Sequence, residues 1–204
     1  MIGIVGKKIG MSQVFLDNGE LTAVSLIKAG PCPILQVKDE NNDGYKAIQL
    51  GFGTKKNVNK PMAGHLKKSK TKSTHRIMEI RVNDTSKYKV GDSIDVNVFA
   101  NGDKVSVTGL TKGRGFSGGV KRWGWSGGPA THGSMAHRRI GSSGAGSSPG
   151  RILKNKTMPG RYGNERVTVK NLQVVKVEKD KNILYLKGAV PGARNSYLII
   201  VKDE

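Results

Sequence analysis

The sequence predicts a mainly β protein with little helix, in which a closed antiparallel β-barrel carries a long, irregular, glycine-rich basic extension as an insertion. Short apolar runs with period-two alternation fill residues 1–111 and return after residue 165. Asparagine-glycine and aspartate-glycine dipeptides separate the early runs. Between the two sets, residues 112–164 lack the composition of a core. Closure into a barrel is expected because it removes exposed strand edges.

Three tight hairpins are expected in the first half of the chain. Each turn pairs glycine with a residue that tolerates positive φ, and the turns are Asn18-Gly19, Asp43-Gly44 and Asn101-Gly102. The runs that they would join are Met11–Leu16 with Leu21–Ile27, Ile34–Val37 with Tyr45–Phe52, and Ile94–Phe99 with Val105–Thr108. Alternation puts Ile48, Leu50 and Phe52 on one face of a strand, and Ile94, Val96 and Val98 on one face of another.

A basic excursion, residues 55–78, interrupts these strands. It carries eight Lys and Arg residues and no acid. Pro61 suits the first turn of a short helix that continues through Met62 to Lys68. The absence of neutralising acids favours contact with phosphate over a merely solvated face.

Strand patterns resume at Arg166–Val177, Ile183–Leu186 and Tyr197–Val201. About forty residues are too few to fold alone. We therefore expect residues 165–204 to complete the barrel begun by residues 1–111, so that both ends of the insertion are anchored in one globular body.

The insertion, residues 112–164, contains ten Lys and Arg, fourteen Gly, both tryptophans and no Asp or Glu. Its apolar residues are scattered, and glycine raises the entropy cost of ordering the backbone. Alone it should be disordered. Polyanionic RNA would supply the charge and the stacking surfaces that order it, so the segment is interpreted as an arm that penetrates RNA.

Charge and cysteine content limit the partners and the compartment. The formal net charge is +20 and the pI is about 10.2, which favours a polyanion. Cys32 is the single cysteine, so an internal disulfide and a cysteine-based zinc site are excluded. Two lysines interrupt the apolar start, and no long apolar run follows. A cytoplasmic protein without a membrane or small-molecule partner is expected, unless an organelle presequence has been removed.

The candidate RNA-binding residues are the clustered basic, histidine and tryptophan side chains. They are Lys7, Lys8, Lys55, Lys56, Lys60, His65, Lys67, Lys68, Lys70, Lys72, Arg76, Lys112, Arg114, Lys121, Arg122, Trp123, Trp125, His132, His137, Arg138, Arg139, Arg151, Lys154, Lys156 and Arg161. Lysine and arginine would neutralise phosphate, and glycine would let the backbone approach the sugar-phosphate surface. For the tryptophans, packing in a core is the alternative to contact with RNA.

Two motifs resemble catalytic signatures but lack their context. Gly113–Gly118 matches a dinucleotide-binding spacing, yet the next acid is Glu165 and Gly118-Gly119 opposes a helix. Gly124–Gly128 matches a hydrolase nucleophile elbow, yet His132 and His137 both precede every downstream carboxylate. The two histidines lack a third ligand, so no metal or cofactor is expected. The chain is therefore interpreted as non-enzymatic.

Three stretches resemble the bacterial-type large-subunit ribosomal protein L-three family. They are Gly6–Phe15 (GKKIGMSQVF), Ala130–Arg138 (ATHGSMAHR) and Met158–Thr168 (MPGRYGNERVT), and a fourth element, Lys187–Gly192, follows in the same order. The resemblance covers essentially the whole chain.

This resemblance implies a barrel of the translation-protein, elongation-factor-like type and an extension running through large-subunit RNA towards the peptidyl transferase centre. It also implies a structural constituent that binds near the 3′ end of the large ribosomal RNA, meets neighbouring large-subunit proteins and nucleates assembly. The extension tip would be Gly141, Ser142, Ser143, Gly144, Ala145, Gly146, Ser147 and Ser148. Some relatives carry a methylated glutamine there, which this chain lacks. An architectural, chromatin-like protein that binds duplex DNA is the alternative.

Overall fold

The computed structural model describes residues 2–16, 18–71 and 73–203. The chain divides into two compact units. The first unit comprises Met1–Thr111 and Arg166–Glu204, and the second unit comprises Lys112–Glu165.

The first unit is built mainly from strands, whereas the second unit is mostly irregular and contains only two short strands and one short helix. The strands are β1 (Gly3–Phe15), β2 (Leu21–Ala29), β3 (Cys32–Lys38), β4 (Ala47–Phe52), β5 (Arg76–Arg81), β6 (Ser93–Ile94), β7 (Lys104–Leu110), β8 (Gly115–Ser117), β9 (Gly160–Tyr162), β10 (Arg166–Glu178), β11 (Ile183–Lys187) and β12 (Tyr197–Lys202). The helices are α1 (Glu40–Asp43), α2 (Lys60–Lys67) and α3 (Gly119–Trp123), with one 3-10 turn at Val96–Val98. The prediction of a mainly β chain with little helix is confirmed.

Six strands of the first unit form a ring of antiparallel pairings in the order β1, β12, β7, β10, β11, β2 and back to β1. The C-terminal strands β10, β11 and β12 thus alternate with strands from the N-terminal half. Each set alone would leave unpaired edges. Residues 165–204 are therefore hydrogen-bonded into the same ring as strands from residues 1–111, which supports the predicted division of the chain.

A four-stranded sheet in the order β5, β4, β3, β6 completes the first unit. Alternating residues of the ring and of this sheet contribute to one hydrophobic cluster, including Ile4, Ile48, Leu50, Ile80 and Leu198. Helix α2 begins after Asn59 and has Pro61 in its first turn, as predicted. The cluster lies entirely in the first unit.

The three predicted hairpins have different outcomes. The Asn18-Gly19 hairpin is confirmed, because Phe15 pairs with Leu21 and Gly19 has φ +79°. Strands β3 and β4 pair as predicted, but α1 connects them and the left-handed Gly44 ends that helix.

The third hairpin prediction is wrong. Residues 96–98 form the 3-10 turn, while β6 pairs with β3. Val96 and Phe99 are both buried. Their spacing of three residues matches the 3-10 repeat, so this geometry buries both where an alternating strand would place them on opposite faces.

Candidate nucleic-acid interface

A short pair of strands, β8 and β9, joins the two ends of the second unit. Gly115 pairs with Tyr162 and Ser117 with Gly160. The Arg114 amide donates to the Tyr162 carbonyl at 2.9 Å. Gly163 has φ +73°, and a Cβ there would overlap the Lys112 carbonyl oxygen. Only glycine fits at position 163, so this residue determines where the two ends of the second unit come together.

Trp125 packs within the second unit. A Cβ at Gly119, the first residue of α3, would overlap the Trp125 ring. The indole N–H donates to the Thr157 hydroxyl at 3.2 Å. This hydrogen bond joins the segment that enters the second unit to the segment that leaves it. Ring and N–H are therefore both engaged internally. This geometry favours the packing alternative for Trp125 over the predicted contact with RNA.

Trp123 combines an internal anchor with an exposed surface. Its N–H donates to the Met158 carbonyl at 2.8 Å, and Arg122 donates to the same oxygen at 2.9 Å. The Arg122 guanidinium also lies 4.8 Å from the Trp123 ring centroid. Trp123 nevertheless keeps 48% of its surface exposed. A cation and an open aromatic face thus stand side by side, which suits contact with a nucleotide.

A compact turn carries the predicted histidines. Gly128 donates its amide to the Ala136 carbonyl at 3.1 Å. His137 Nδ1 lies 2.8 Å from the Pro129 carbonyl oxygen, and because a carbonyl only accepts, Nδ1 is the donor. In the neutral form of this exposed ring, Nε2 is then an acceptor. His132, also exposed, has φ +60°.

Exposure of the second unit increases towards its middle. Every residue from 135 to 156 is exposed, including the predicted tip at 141–148. Met135 keeps 87% and Leu153 67% of their surface exposed. Nine of the ten basic residues are exposed as well, and Arg122 is half-buried. The unit therefore presents apolar and cationic groups together, with no carboxylate between residues 104 and 164.

The basic excursion of the first unit is also largely open to solvent. Its predicted RNA-binding residues Lys55, Lys56, Lys60, Lys67, Lys68, Lys70 and Arg76 are exposed. Lys72 lies outside the described residues. These side chains retain the solvent access that phosphate contact requires.

His65 faces a polar network instead of open solvent. Its Nε2 lies 2.6 Å from Gln49 Oε1, and Gln49 Nε2 donates to Glu79. Partial burial raises the pKa of Glu79, but hydrogen bonds led by the one from Lys38 outweigh this and hold that pKa below its usual value. His65 thus links α2 to the sheet, while its contact with RNA stays a prediction.

Lys8, another predicted RNA-binding residue, also has hydrogen-bond partners within the protein. Its ammonium is buried and donates to the Val190 and Gly192 carbonyls at 2.8 and 3.1 Å. A buried ammonium held by backbone oxygens is directed into the protein. This favours a structural role for Lys8, whereas its neighbour Lys7 is half-buried at the surface.

Sequence reasoning missed three residues beside Lys7, namely Lys28, His75 and Tyr197, which line one cavity with it. They are far apart in the sequence. The pairing of β1 with β2 and β12 places Lys28 and Tyr197 beside Lys7, and His75 comes from the residue before β5. Within residues 2–16, 18–71 and 73–203, no group of three or more His, Cys, Asp or Glu could hold a metal ion. No helix of that part of the chain is long and apolar enough to span a membrane.

Comparison with known proteins extends over almost the whole chain. A family model described as Ribosomal protein L3 matches residues 32–184. The chain is 51% identical to the large ribosomal subunit protein uL3 of Pseudothermotoga lettingae, over 97% of this chain and 95% of the relative. It is 52% identical to that of Thermotoga maritima, with 97% and 95% covered. For Carboxydothermus hydrogenoformans the identity is 50%, again with 97% and 95% covered.

Proposed function

The chain belongs to the ribosomal protein L3 family, and on that basis we propose that it is a structural, non-catalytic constituent of the large ribosomal subunit that binds large-subunit ribosomal RNA. One observation supports this most strongly. The second unit exposes nine basic side chains in a stretch without any carboxylate. Such a surface repels itself in isolation and is neutralised by phosphate.

The two units would have different roles. The first unit, a ring of strands that we propose to be an elongation-factor-like barrel, binds near the 3′ end of the large ribosomal RNA and contacts neighbouring large-subunit proteins. The second unit penetrates the RNA with residues 141–148 as its tip, directed towards the peptidyl transferase centre. Early binding of both units would nucleate assembly of the subunit.

Each residue class has its own task in this binding. Lysine and arginine, such as Arg138, Arg139 and Lys154, neutralise phosphates. Glycines without a side chain let backbone amides reach phosphate oxygens. The open face of Trp123 and the ring of His137 contact bases or riboses. Trp125 maintains the fold of the unit that presents these groups.

Crosslinking in the assembled subunit tests this proposal. A photoreactive amino acid replaces Arg139 in one variant and Lys179, an exposed residue of the first unit, in another. Both variants should sediment with large subunits. Crosslinks from position 139 should map to large-subunit RNA at a few discrete nucleotides, because the unit is embedded, whereas position 179 should give few RNA crosslinks.

Competition distinguishes ribosomal RNA from duplex DNA as the partner. A structured large-subunit RNA fragment should displace labelled RNA from the protein at far lower concentration than duplex DNA of equal length. Equal competition would favour the architectural alternative. Failure of the protein to sediment with large subunits would refute the proposal itself.

A further inference from the structure

A cavity of about 630 Å³ opens on the surface of the first unit, remote in sequence from the glycine-rich second unit. Its walls combine the apolar residues Pro31, Pro33 and Phe52 with the polar groups of Lys7, Lys28 and His75. The volume lies within the range of roughly 300–1,000 Å³ that is typical of small-ligand sites. A mostly apolar wall with a few polar groups is also the usual composition of such sites.

One wall of the cavity is a group of three aromatic rings. The Tyr197 and His75 rings are stacked, with centroids 5.5 Å apart and planes inclined by 25°. Phe52 meets Tyr197 edge-on at 6.1 Å. Tyr197 and His75 are also joined by a hydrogen bond of 2.8 Å between the hydroxyl and Nδ1. The stack ends in an imidazole that is exposed to solvent, so its outer face is free for another planar group.

The backbone holds His75 in place. Its amide donates to the carbonyls of Phe52 and Gly53, at 3.2 and 3.1 Å. The neighbouring Thr74 hydroxyl is buried and bonds to the carbonyls of Phe52 and Arg76. The imidazole is thus presented from the end of a sheet strand and not from a free loop. A fixed ring loses little further entropy when a ligand stacks on it.

His75 borders two cavities, and each of them contains basic side chains. The cavity itself contains Lys7 and Lys28, and none of its described lining residues is acidic. His75 also borders a second cavity, of about 320 Å³, whose lining includes Lys55 and Arg76. A planar group stacked on His75 would therefore have the cations of two cavities near it. A nucleotide within a chain has this form, because its base is flanked by two phosphates.

From this geometry we infer that the cavity binds one unpaired nucleotide of RNA. The base would stack on His75 against the aromatic wall, and Lys7 and Lys28 on one side and Lys55 and Arg76 on the other would contact the adjoining phosphates. Unpaired bases are recognised in this way, by stacking on aromatic rings combined with charge along the backbone. The inference rests on the proposed function, since it specifies how the first unit contacts ribosomal RNA.

Nucleotide-resolution probing of the complex between full-length protein and large-subunit RNA tests this inference. His75→Ala removes the stacking surface, and Lys7→Gln with Lys28→Gln removes two charges without altering the core. Lys89→Gln with Lys179→Gln is the matched control, because it removes two exposed charges that do not line the cavity. Thermal unfolding of each variant verifies that it is folded.

Wild-type protein should protect one or two unpaired nucleotides that become reactive in both cavity variants and stay protected in the control. The affinity for the RNA should fall about tenfold on loss of one stacked base. If the His75→Ala and lysine variants protect the same nucleotides as wild type, the inference is wrong while the proposed function stands. If wild-type protein does not bind the RNA at all, the proposed function fails as well.

Discussion

At the residue scale, the lack of a side chain at Gly119 determines how the second unit packs. The Trp125 ring occupies the space that a Cβ would need, whereas the adjacent Gly118 has nothing within 4 Å of its Cβ position. Two neighbouring glycines therefore have different tolerance for the same substitution. This contrast provides a matched pair of variants.

Gly119→Ala should displace Trp125 and break its hydrogen bond to Thr157. We expect a red-shifted, more quenchable tryptophan emission, because a half-buried indole becomes exposed. Gly118→Ala should leave the spectrum unchanged. Equal spectra for the two variants would contradict the packing of Trp125 on Gly119.

Lys8 shows that a positive charge in a basic protein can serve the fold. Lys8→Met keeps much of the side-chain volume but leaves the Val190 and Gly192 carbonyls without their donor. We expect the free energy of unfolding to fall by about 1–3 kcal/mol, the usual cost of unsatisfied buried polar groups. Urea titration measures it, with Lys7→Met as the control. A loss confined to RNA affinity, with stability unchanged, would contradict the structural role.

Because of Cys32, the free energy of unfolding should fall at alkaline pH. Burial raises the pKa of its thiol to about 12. Because the pKa is raised in the folded state, the stabilisation is complete below the unfolded pKa of about 9 and is lost as the pH rises towards 12. Between pH 8 and pH 10, the free energy of unfolding should fall by about 1.4 kcal/mol more in wild type than in Cys32→Ala. Urea titrations at the two pH values measure this difference, and identical losses would contradict the burial of Cys32.

At the element scale, most strands could be predicted because each requires only local information. Alternation at residues 166–177 and 197–201 indicated β10 and β12, and Asn18-Gly19 indicated the turn after β1. The 3-10 turn at Val96–Val98 was missed because three valines or isoleucines at period two also fit a strand. The burial of Phe99 favours the 3-10 turn over the strand, and such a tertiary contact is not part of local strand propensity.

Candidate site residues could be predicted where basic residues cluster in the sequence. They could not be predicted where a side chain contacts residues far away in the sequence. The exposure of nine basic residues in the second unit could be predicted, because residues 112–164 contain no carboxylate that could pair with them in a core. The hydrogen-bond partners of Lys8, His65 and Trp125 lie 16 to 184 positions away in the sequence, so no local pattern identifies them. The cavity beside His75 was missed for the same reason.

The strands and the exposed run should differ in hydrogen exchange. In free protein, amides of β1 and β12 should exchange slowly because both strands are paired on each side, while residues 135–156 should exchange fast. Ribosomal RNA should slow residues 135–156 and leave β1 and β12 unchanged. Slow exchange of residues 135–156 without RNA would contradict folding coupled to binding.

At the scale of the whole molecule, charge is distributed unevenly between the two units. Residues 112–164 carry ten basic residues and no acid, whereas the rest of the chain has 25 basic and 15 acidic residues. Acids of the first unit form ion pairs, such as Asp103 with Lys202 at 2.6 Å and Glu79 with Lys38 at 2.9 Å. The second unit has no such acids within residues 112–164. Nine of its ten cations are exposed, so phosphate can reach them, and RNA binding by this unit should depend strongly on salt.

The salt dependence of RNA affinity tests the central claim most directly. If about ten phosphates are neutralised, log affinity for large-subunit RNA should fall against log salt with a slope of about −7, at roughly 0.7 per contact for single strands. Replacing Arg138, Arg139, Lys154 and Lys156 by Gln should reduce this to about −4, while the Lys89→Gln, Lys179→Gln control should keep the wild-type slope. A nearly flat slope for wild type, or an unchanged slope after the four substitutions, would contradict the claim that the second unit binds RNA through its exposed cations.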